Sequence, residues 1–467
     1  MKKPKVAHAM TNFRDLTLGG RRKLGLLVAG LLAGLAGVAS ADVKLPTVID
    51  SHMVVQRDAP IVIWGWADSG EKVTVSMGDA SAEATAGDDG TWSVSLPARK
   101  ADGKGHSIRI AGQNTITLDD VLIGEVWVGS GQSNMEWQLR NTHGAQEAIA
   151  AAAHPNIRLF HVPKVQKPEP ASDVVADWKS CTPENIPAFS AVLYYFGKKL
   201  HEELDVPVGL INSSWGGSPI EPWTIKDGKS GGMYNGMIAP LTPFSIRGAI
   251  WYQGETNVLQ KNGLAYFDRM QALIEGWRKE WQPTLPFYFV QIAPWSGRYE
   301  AGQLPALWEA QVKSLKIPDT GMAVVTDLVD NIADIHPRNK LDVGNRLARW
   351  ALARTYGKKD LVYSGPLFKS LAIDGNKARV TFAHAAGLKS SDDKALTEFQ
   401  IAGDDGNFVD ATAEIDGDTV VVSAESVAAP KQVRFGWHKV ANPNLVNGAG
   451  LPASPFQSHN WQGGTGE

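Results

Sequence analysis

The sequence predicts an α/β protein: a parallel sheet covered by helices on both faces, flanked by β regions at either end. Two observations carry this. From about Val121 to Tyr356, short β-branched apolar runs alternate with stretches of helical period, the pattern of a parallel sheet. On either side of that segment the helical period is absent, and short strands alternate with turn residues. The 467 residues are long for one domain and suggest two or three compact units.

Residues 42–119 read as an N-terminal β-sandwich-like domain. Its runs are Ile61-Val62-Ile63-Trp64, Val73-Thr74-Val75, Trp92-Ser93-Val94-Ser95-Leu96 and Ile108-Arg109-Ile110, with Asp88-Asp89-Gly90 as a hairpin signal. Residues 120–356 form the α/β unit. It opens on the long apolar run Val121–Gly129, which suits a buried strand. Strands are expected at 208–212, 249–252, 287–292 and 322–326. Helices are expected from a Ser190 cap to Leu204, at 264–281, at 306–315, and from Pro337 to Leu352. Residues 357–467 read as a second β region, with strands near 380–382, 399–401, 419–422 and 433–435.

The first 41 residues have the order of a secretory signal. Arg21-Arg22-Lys23 precedes fifteen uncharged residues, Leu24–Val38, and Ala39-Ser40-Ala41 supplies small residues for cleavage. Met10 is a candidate start. The run is short for a membrane span. The expected product is exported, periplasmic or extracellular, with no membrane contact after cleavage. Without the signal the chain holds 39 basic and 48 acidic residues, a net charge of −9. That balance argues against nucleic acid as a partner. The single cysteine, Cys181, excludes an internal disulfide and reads as a buried structural residue.

Ligands of an open α/β sheet sit at the carboxyl ends of its strands. Four clusters follow such ends. Gly131-Gln132-Ser133-Asn134-Met135-Glu136 places a serine on a sharp turn, though without the second glycine of the Gly-x-Ser-x-Gly elbow. Asn212-Ser213-Ser214-Trp215-Gly216-Gly217-Ser218 exposes backbone N–H donors through paired glycines. Trp251-Tyr252-Gln253-Gly254-Glu255-Thr256-Asn257 offers the Asn257 amide to an oxyanion, and Glu255 to orient a neighbour or a substrate hydroxyl. Asp334-Ile335-His336-Pro337 places an acid two residues before a histidine, on the same side of an extended chain. Together these are the parts of a serine acyl-transfer site: Ser133 as nucleophile, His336 as base and Asp334 as its orienting acid. No His/Cys/Asp cluster has metal-ligand spacing, and no cofactor is expected.

These motifs resemble the SGNH-hydrolase superfamily, and within it the sialate O-acetylesterases and related carbohydrate acetylesterases. The resemblance spans about Lys44 to Trp437. It rests on Met53-Val54-Val55-Gln56-Arg57, Val126–Trp137, Trp215–Trp223, Trp251–Asn257 and Ile335–Lys340. It implies an SGNH-type, flavodoxin-like sheet and an esterase that removes acetyl groups from a glycan by a Ser133–His336 mechanism. It implies an oxyanion hole from Ser133, Gly217 and Asn257, with Gln132, Gln253, Glu255 and Trp215 as substrate contacts. Trp137, Trp223 and Trp295 are further candidates for stacking on sugar rings. The resemblance leaves the glycan open between a sialic acid and a plant polysaccharide such as xylan or xyloglucan. In the superfamily the last block is Asp-x-x-His, but position 333 here is Ala. Asp330, Asp327 or a backbone carbonyl are therefore alternatives to Asp334. Two rival readings remain open: a glycosidase using Glu136 and Glu255, and a non-catalytic carbohydrate-binding protein.

Overall fold

A computed structural model describes residues 42–461 and 463–465. The expected signal peptide, residues 1–41, lies outside the described residues. No helix among the described residues is long and apolar enough to cross a membrane.

The central sheet is built on β1 (Thr115–Gly131), which is seventeen residues long. Its first half alternates between exposed and covered positions, and from Val121 onward every residue is buried. The alternating half pairs antiparallel with His106–Ala111, and Leu122–Gly124 pairs with Val54–Gln56. The buried half lies inside a parallel sheet. The expected boundary between residues 119 and 120 therefore falls inside one continuous strand.

The remaining strands of the sheet are β2 (His154–His161), β3 (Trp178–Cys181), β4 (Val208–Ser214), β5 (Gly248–Tyr252), β6 (Phe287–Val290) and β7 (Thr320–Ala323). Their order is β7-β6-β5-β1-β4-β2-β3, parallel throughout except for the edge strand β3. Strands β4 and β5 flank β1 on opposite sides, so a crevice opens beyond the carboxyl end of β1.

The helices start where local chemistry allows. In α1 (Ala191–Leu204) the Ser190 hydroxyl accepts the Leu193 N–H at 3.2 Å, and Val192, Leu193, Phe196 and Leu200 face the core. Tyr266–Glu280 (α2) and Gln303–Lys313 (α3) lie close to their expected spans. The last helix, α4 (Lys340–Trp350), begins three residues later than expected. Asn339, not Pro337, ends the preceding loop, because its side chain caps the Asp342 N–H at 3.1 Å.

The Met53–Arg57 motif braces the N-terminal strands against the sheet. Glu125 of β1 is fully buried, and its carboxylate takes Arg57 Nε at 2.5 Å and Arg247 Nε at 2.8 Å. Gln56 adds bonds to Glu125 and to the Val126 N–H. The N-terminal strands accordingly share one hydrophobic core with the α/β unit. Asp88-Asp89-Gly90 is not a hairpin: Ala80–Thr85 pairs with Lys72–Met77, whereas Thr91–Leu96 crosses to pair with Ile61–Trp66.

Residues 367–457 form two four-stranded antiparallel sheets around their own core, in which the Phe368 and Phe456 rings stack at 4.5 Å. This sandwich docks on the α/β unit through the Gln291–Ser454 bond and the Trp295 N–H to the Lys439 carbonyl. Cys181 is buried and free, and burial pushes its thiol up to about 12, which leaves it no role as a nucleophile.

Candidate active site

Three strand ends stand level: Gly131 pairs with Ser214 on one side and with Tyr252 on the other. The loops that carry the first three motifs therefore emerge side by side. Gly131 makes the turn possible. Its φ is +133°, and a Cβ there would sit 2.2 Å from the Tyr252 carbonyl oxygen. Ser133 follows as the first residue of a single helical turn, half-exposed, its N–H one of the donors that a helix start leaves free.

His336 comes from the long loop after β7. Its Nε2 lies 2.8 Å from Ser133 Oγ. Asp334 reaches it through a turn rather than along an extended strand. Asp334 Oδ1 accepts the His336 backbone N–H at 2.9 Å and lies 3.4 Å from Nδ1. That second distance exceeds an ordinary N–H···O bond, so the carboxylate holds the ring loosely. The other candidates are engaged elsewhere: Asp330 with Arg338 and His143, Asp327 with Arg346. On the far side the Trp137 indole stacks on the imidazole at 4.7 Å and 19°. Burial holds His336 below the ordinary histidine value. The Lys340 charge acts in the same direction, and Asp334 opposes both. A neutral imidazole at hydrogen-bond distance from a hydroxyl is the geometry for taking its proton.

The 215–218 turn packs against the serine: a Cβ on Gly216 would lie 3.4 Å from Ser133 Cβ. The Gly216 N–H is given to Glu136 Oε2 at 2.5 Å. Gly217, exposed and at φ +77°, donates its N–H to no other group among the described residues. Asn257 departs from expectation. Its Nδ2 donates to both Glu221 carboxylate oxygens at 3.2 Å, and its Oδ1 accepts from the Ile220 N–H and Gln253 Nε2. Both polar atoms of its amide are thus already bonded to protein groups.

Burial also separates the expected substrate contacts. Gln132, Gln253 and Glu255 are 3%, 0% and 2% exposed, which removes them from the surface a sugar can touch. Gln132 Oε1 accepts from Gln253 and from the N–H groups of Gly254 and Thr256, so it pins the third loop to the first. Gln253 also bonds Ser218 and Tyr266. Trp215 stays half-exposed beside the serine turn, whereas Trp223 is fully buried and cannot stack on a ligand. Trp295 bonds the Ala333 carbonyl and supports the His336 loop.

Reasoning from sequence missed three residues. The sequence points to Trp137 only as a sugar platform, whereas it stacks on His336. Asn134, fully buried, donates to Glu255 Oε1 at 2.6 Å and to the Ile335 carbonyl at 3.1 Å. Lys340, also fully buried, donates to Asn134 Oδ1 at 2.5 Å. One signal for Lys340 was available: a cation directly after a helix cap, where the helix dipole disfavours it.

The parallel sheet, with Ser133 and His336 meeting beyond the carboxyl ends of its strands, places the fold in the SGNH-hydrolase class. Residues 123–353 match the family model described as carbohydrate esterase, sialic acid-specific acetylesterase. The human sialate O-acetylesterase is 30% identical over 432 residues, covering 79% of this chain and 82% of the relative. The rat enzyme is 29% identical, covering 75% and 81%. A solved carbohydrate acetylesterase from Xanthomonas citri superposes with a TM-score of 0.85 at 40% identity, covering 90% of this chain and all of that one. The chain belongs to the sialate O-acetylesterase family of carbohydrate esterases, and it is a carbohydrate O-acetylesterase. This overturns the binding-protein alternative. The glycosidase alternative fails on geometry too, because Glu255 is buried on Asn134 and Glu136 is tied to Gly216 and Lys164.

Proposed function

We propose that this enzyme is exported and deacetylates a glycan through an acetyl-Ser133 intermediate. Ser133 Oγ attacks the acetyl carbonyl carbon while His336 Nε2 takes its proton. The N–H groups of Ser133 and Gly217 receive the oxyanion. Collapse of the tetrahedral adduct breaks the C–O bond to the sugar, whose oxygen takes the proton from His336. Water then attacks the acetyl-serine, with His336 again as base; the bond from the acetyl carbon to Ser133 Oγ breaks, Oγ takes the proton back from His336, and acetate leaves. Asp334 orients the imidazole. Gln132, Gln253 and Glu255 act as supports, and Trp215 offers the sugar a flat apolar surface. The observation that carries this reading is the 2.8 Å contact between Ser133 and His336.

The test is acetate release from acetylated xylan, acetylated xyloglucan and 9-O-acetyl sialic acid. Release from at least one is expected, and the preferred substrate names the glycan class. A folded sample that releases acetate from none of them refutes the reading. Export is checked by sequencing the mature N-terminus, expected at Asp42.

Two smaller effects follow from the geometry. Asp334→Asn is expected to lower kcat by about 10–100-fold, because the 3.4 Å contact is long. A tightly held triad acid would cost about 10⁴-fold. A loss as large as that of the serine variant would instead make Asp334 an essential member. Because burial depresses the His336 pKa, the acid limb of kcat/KM is expected below the ordinary histidine value of 6.5: the neutral base persists to lower pH. A limb above that value would contradict the assignment.

A further inference from the structure

The loops bearing Ser133 and His336 come from opposite ends of the α/β unit, some two hundred residues apart in sequence, and a fully buried polar cluster joins them. Asn134, next to the serine, donates both to the carbonyl of Ile335, next to the histidine, and to Glu255. The remaining oxygen of Asn134 takes the ammonium of Lys340. The same ammonium lies 5.3 Å from the Tyr252 ring centre and 6.0 Å from that of Trp137, the indole that stacks on the imidazole. Lys340 thus reaches three of the groups that surround the reacting pair.

We infer that Lys340 is a positioning residue of the esterase reaction: its buried ammonium clamps Asn134 between the serine turn and the histidine loop, and its charge faces the base. The inference rests on the mechanism proposed above.

Lysine is an unfavourable choice here for stability alone. It is fully buried, where an ammonium loses its hydration, and it opens α4 at the end where the dipole repels a cation. An apolar side chain of similar length would avoid both costs but would leave Asn134 Oδ1 without its donor and the buried Glu255 without its counter-charge. Locally unfavourable residues of this kind gather at functional sites. The charges around the ammonium are the carboxylates of Glu255, Asp334 and Asp330. Asp330 is shared with Arg338 and His143. Burial lowers Lys340 to about 7 and raises Glu255, the attraction between them opposing both shifts. While it carries its charge, Lys340 disfavours a second cation at His336, the form of the base that cannot accept a proton.

The experiment compares Lys340→Met, Lys340→Arg and wild type by the pH dependence of kcat/KM on p-nitrophenyl acetate, with folding checked by circular dichroism. In Lys340→Met the acid limb is expected to move up by about half a pH unit or more, because the repelling charge is gone. The plateau kcat is expected to fall about tenfold or more, because Asn134 loses its hold. Lys340→Arg is expected to return the limb towards its wild-type position. A folded Lys340→Met whose limb does not move overturns the inference, whatever its kcat, since a purely structural lysine would lower activity without shifting it. If Lys340→Met does not fold, Asn134→Ala takes its place: a kcat loss of about tenfold with KM within about twofold supports the clamp, and an unchanged kcat overturns it. Ser133→Ala assayed in parallel separates the two readings. Activity above about one hundredth of wild type there overturns the serine mechanism and this inference with it. An inactive Ser133→Ala beside an unmoved Lys340→Met limb overturns the role of Lys340 alone.

Discussion

Ser133→Ala is expected to lower kcat for acetate release by about 10⁵–10⁶-fold, the scale seen when a serine hydrolase loses its nucleophile. The substitution removes one oxygen from a half-exposed side chain, so the fold should be unaffected. His336 would keep its stacking on Trp137 and its contact with Asp334 but have no hydroxyl to deprotonate. His336→Ala is expected to cost nearly as much. The double variant should be no worse than either single one, because serine and histidine act as a unit and each is idle without the other. Acetate release by wild type, both single variants and the double variant on one glycan checks this. Activity above about one hundredth of wild type in Ser133→Ala, or losses that multiply in the double variant, would mean that the two residues do not share one step.

Gly131→Ala is expected to be the most damaging substitution outside the reacting groups. The added methyl would meet the Tyr252 carbonyl at 2.2 Å, in a backbone conformation that residues with a Cβ rarely adopt. The carbonyl belongs to β5 and is already bonded to the Gln132 N–H, so it cannot retreat without loosening the strand. Strain and overpacking together cost about 2–4 kcal/mol. Whatever part is relieved by movement carries Ser133 away from His336, and a shift near 1 Å costs about 100-fold in rate. Urea unfolding and kcat on the same sample measure both effects. A variant with unchanged midpoint and unchanged kcat would show that the turn is freer than its geometry implies.

That Ser133 and His336 would meet could be read from sequence because each member follows a strand with an unmistakable apolar pattern. Ser133 stands two residues beyond a run that stays buried from Val121 to Gly131. His336 was legible through its acid neighbour, although that neighbour approaches through a turn rather than along a strand. Asn257 was misread for a physical reason. An amide in a polar loop looks like a free donor, and only the folded chain reveals Glu221 beside it. Gln132, Gln253 and Glu255 were misread likewise: polar residues around a motif read as exposed, whereas here Gln253 bonds Gln132 and Glu255 bonds Asn134 inside the protein. The hairpin at Asp88-Asp89-Gly90 failed because a turn signal reports a change of direction, and strand pairing is settled by non-local partners.

What the sequence determined by itself is the fold class, five of the seven strands of the central sheet and the esterase family; the strands His154–His161 and Trp178–Cys181 were not legible in it. The legible features are written in hydrophobic period, in turn glycines and in residues that stand next to them. What only the tertiary structure decided is which polar groups meet. The Ser133–His336 contact spans 203 positions and the Lys340–Asn134 contact spans 206. Such contacts leave no periodic trace in the chain. They exist because parallel pairing sets Gly131, Ser214 and Tyr252 level, so that their loops share one crevice, while the cap at Asn339 starts α4 with Lys340 buried beneath it.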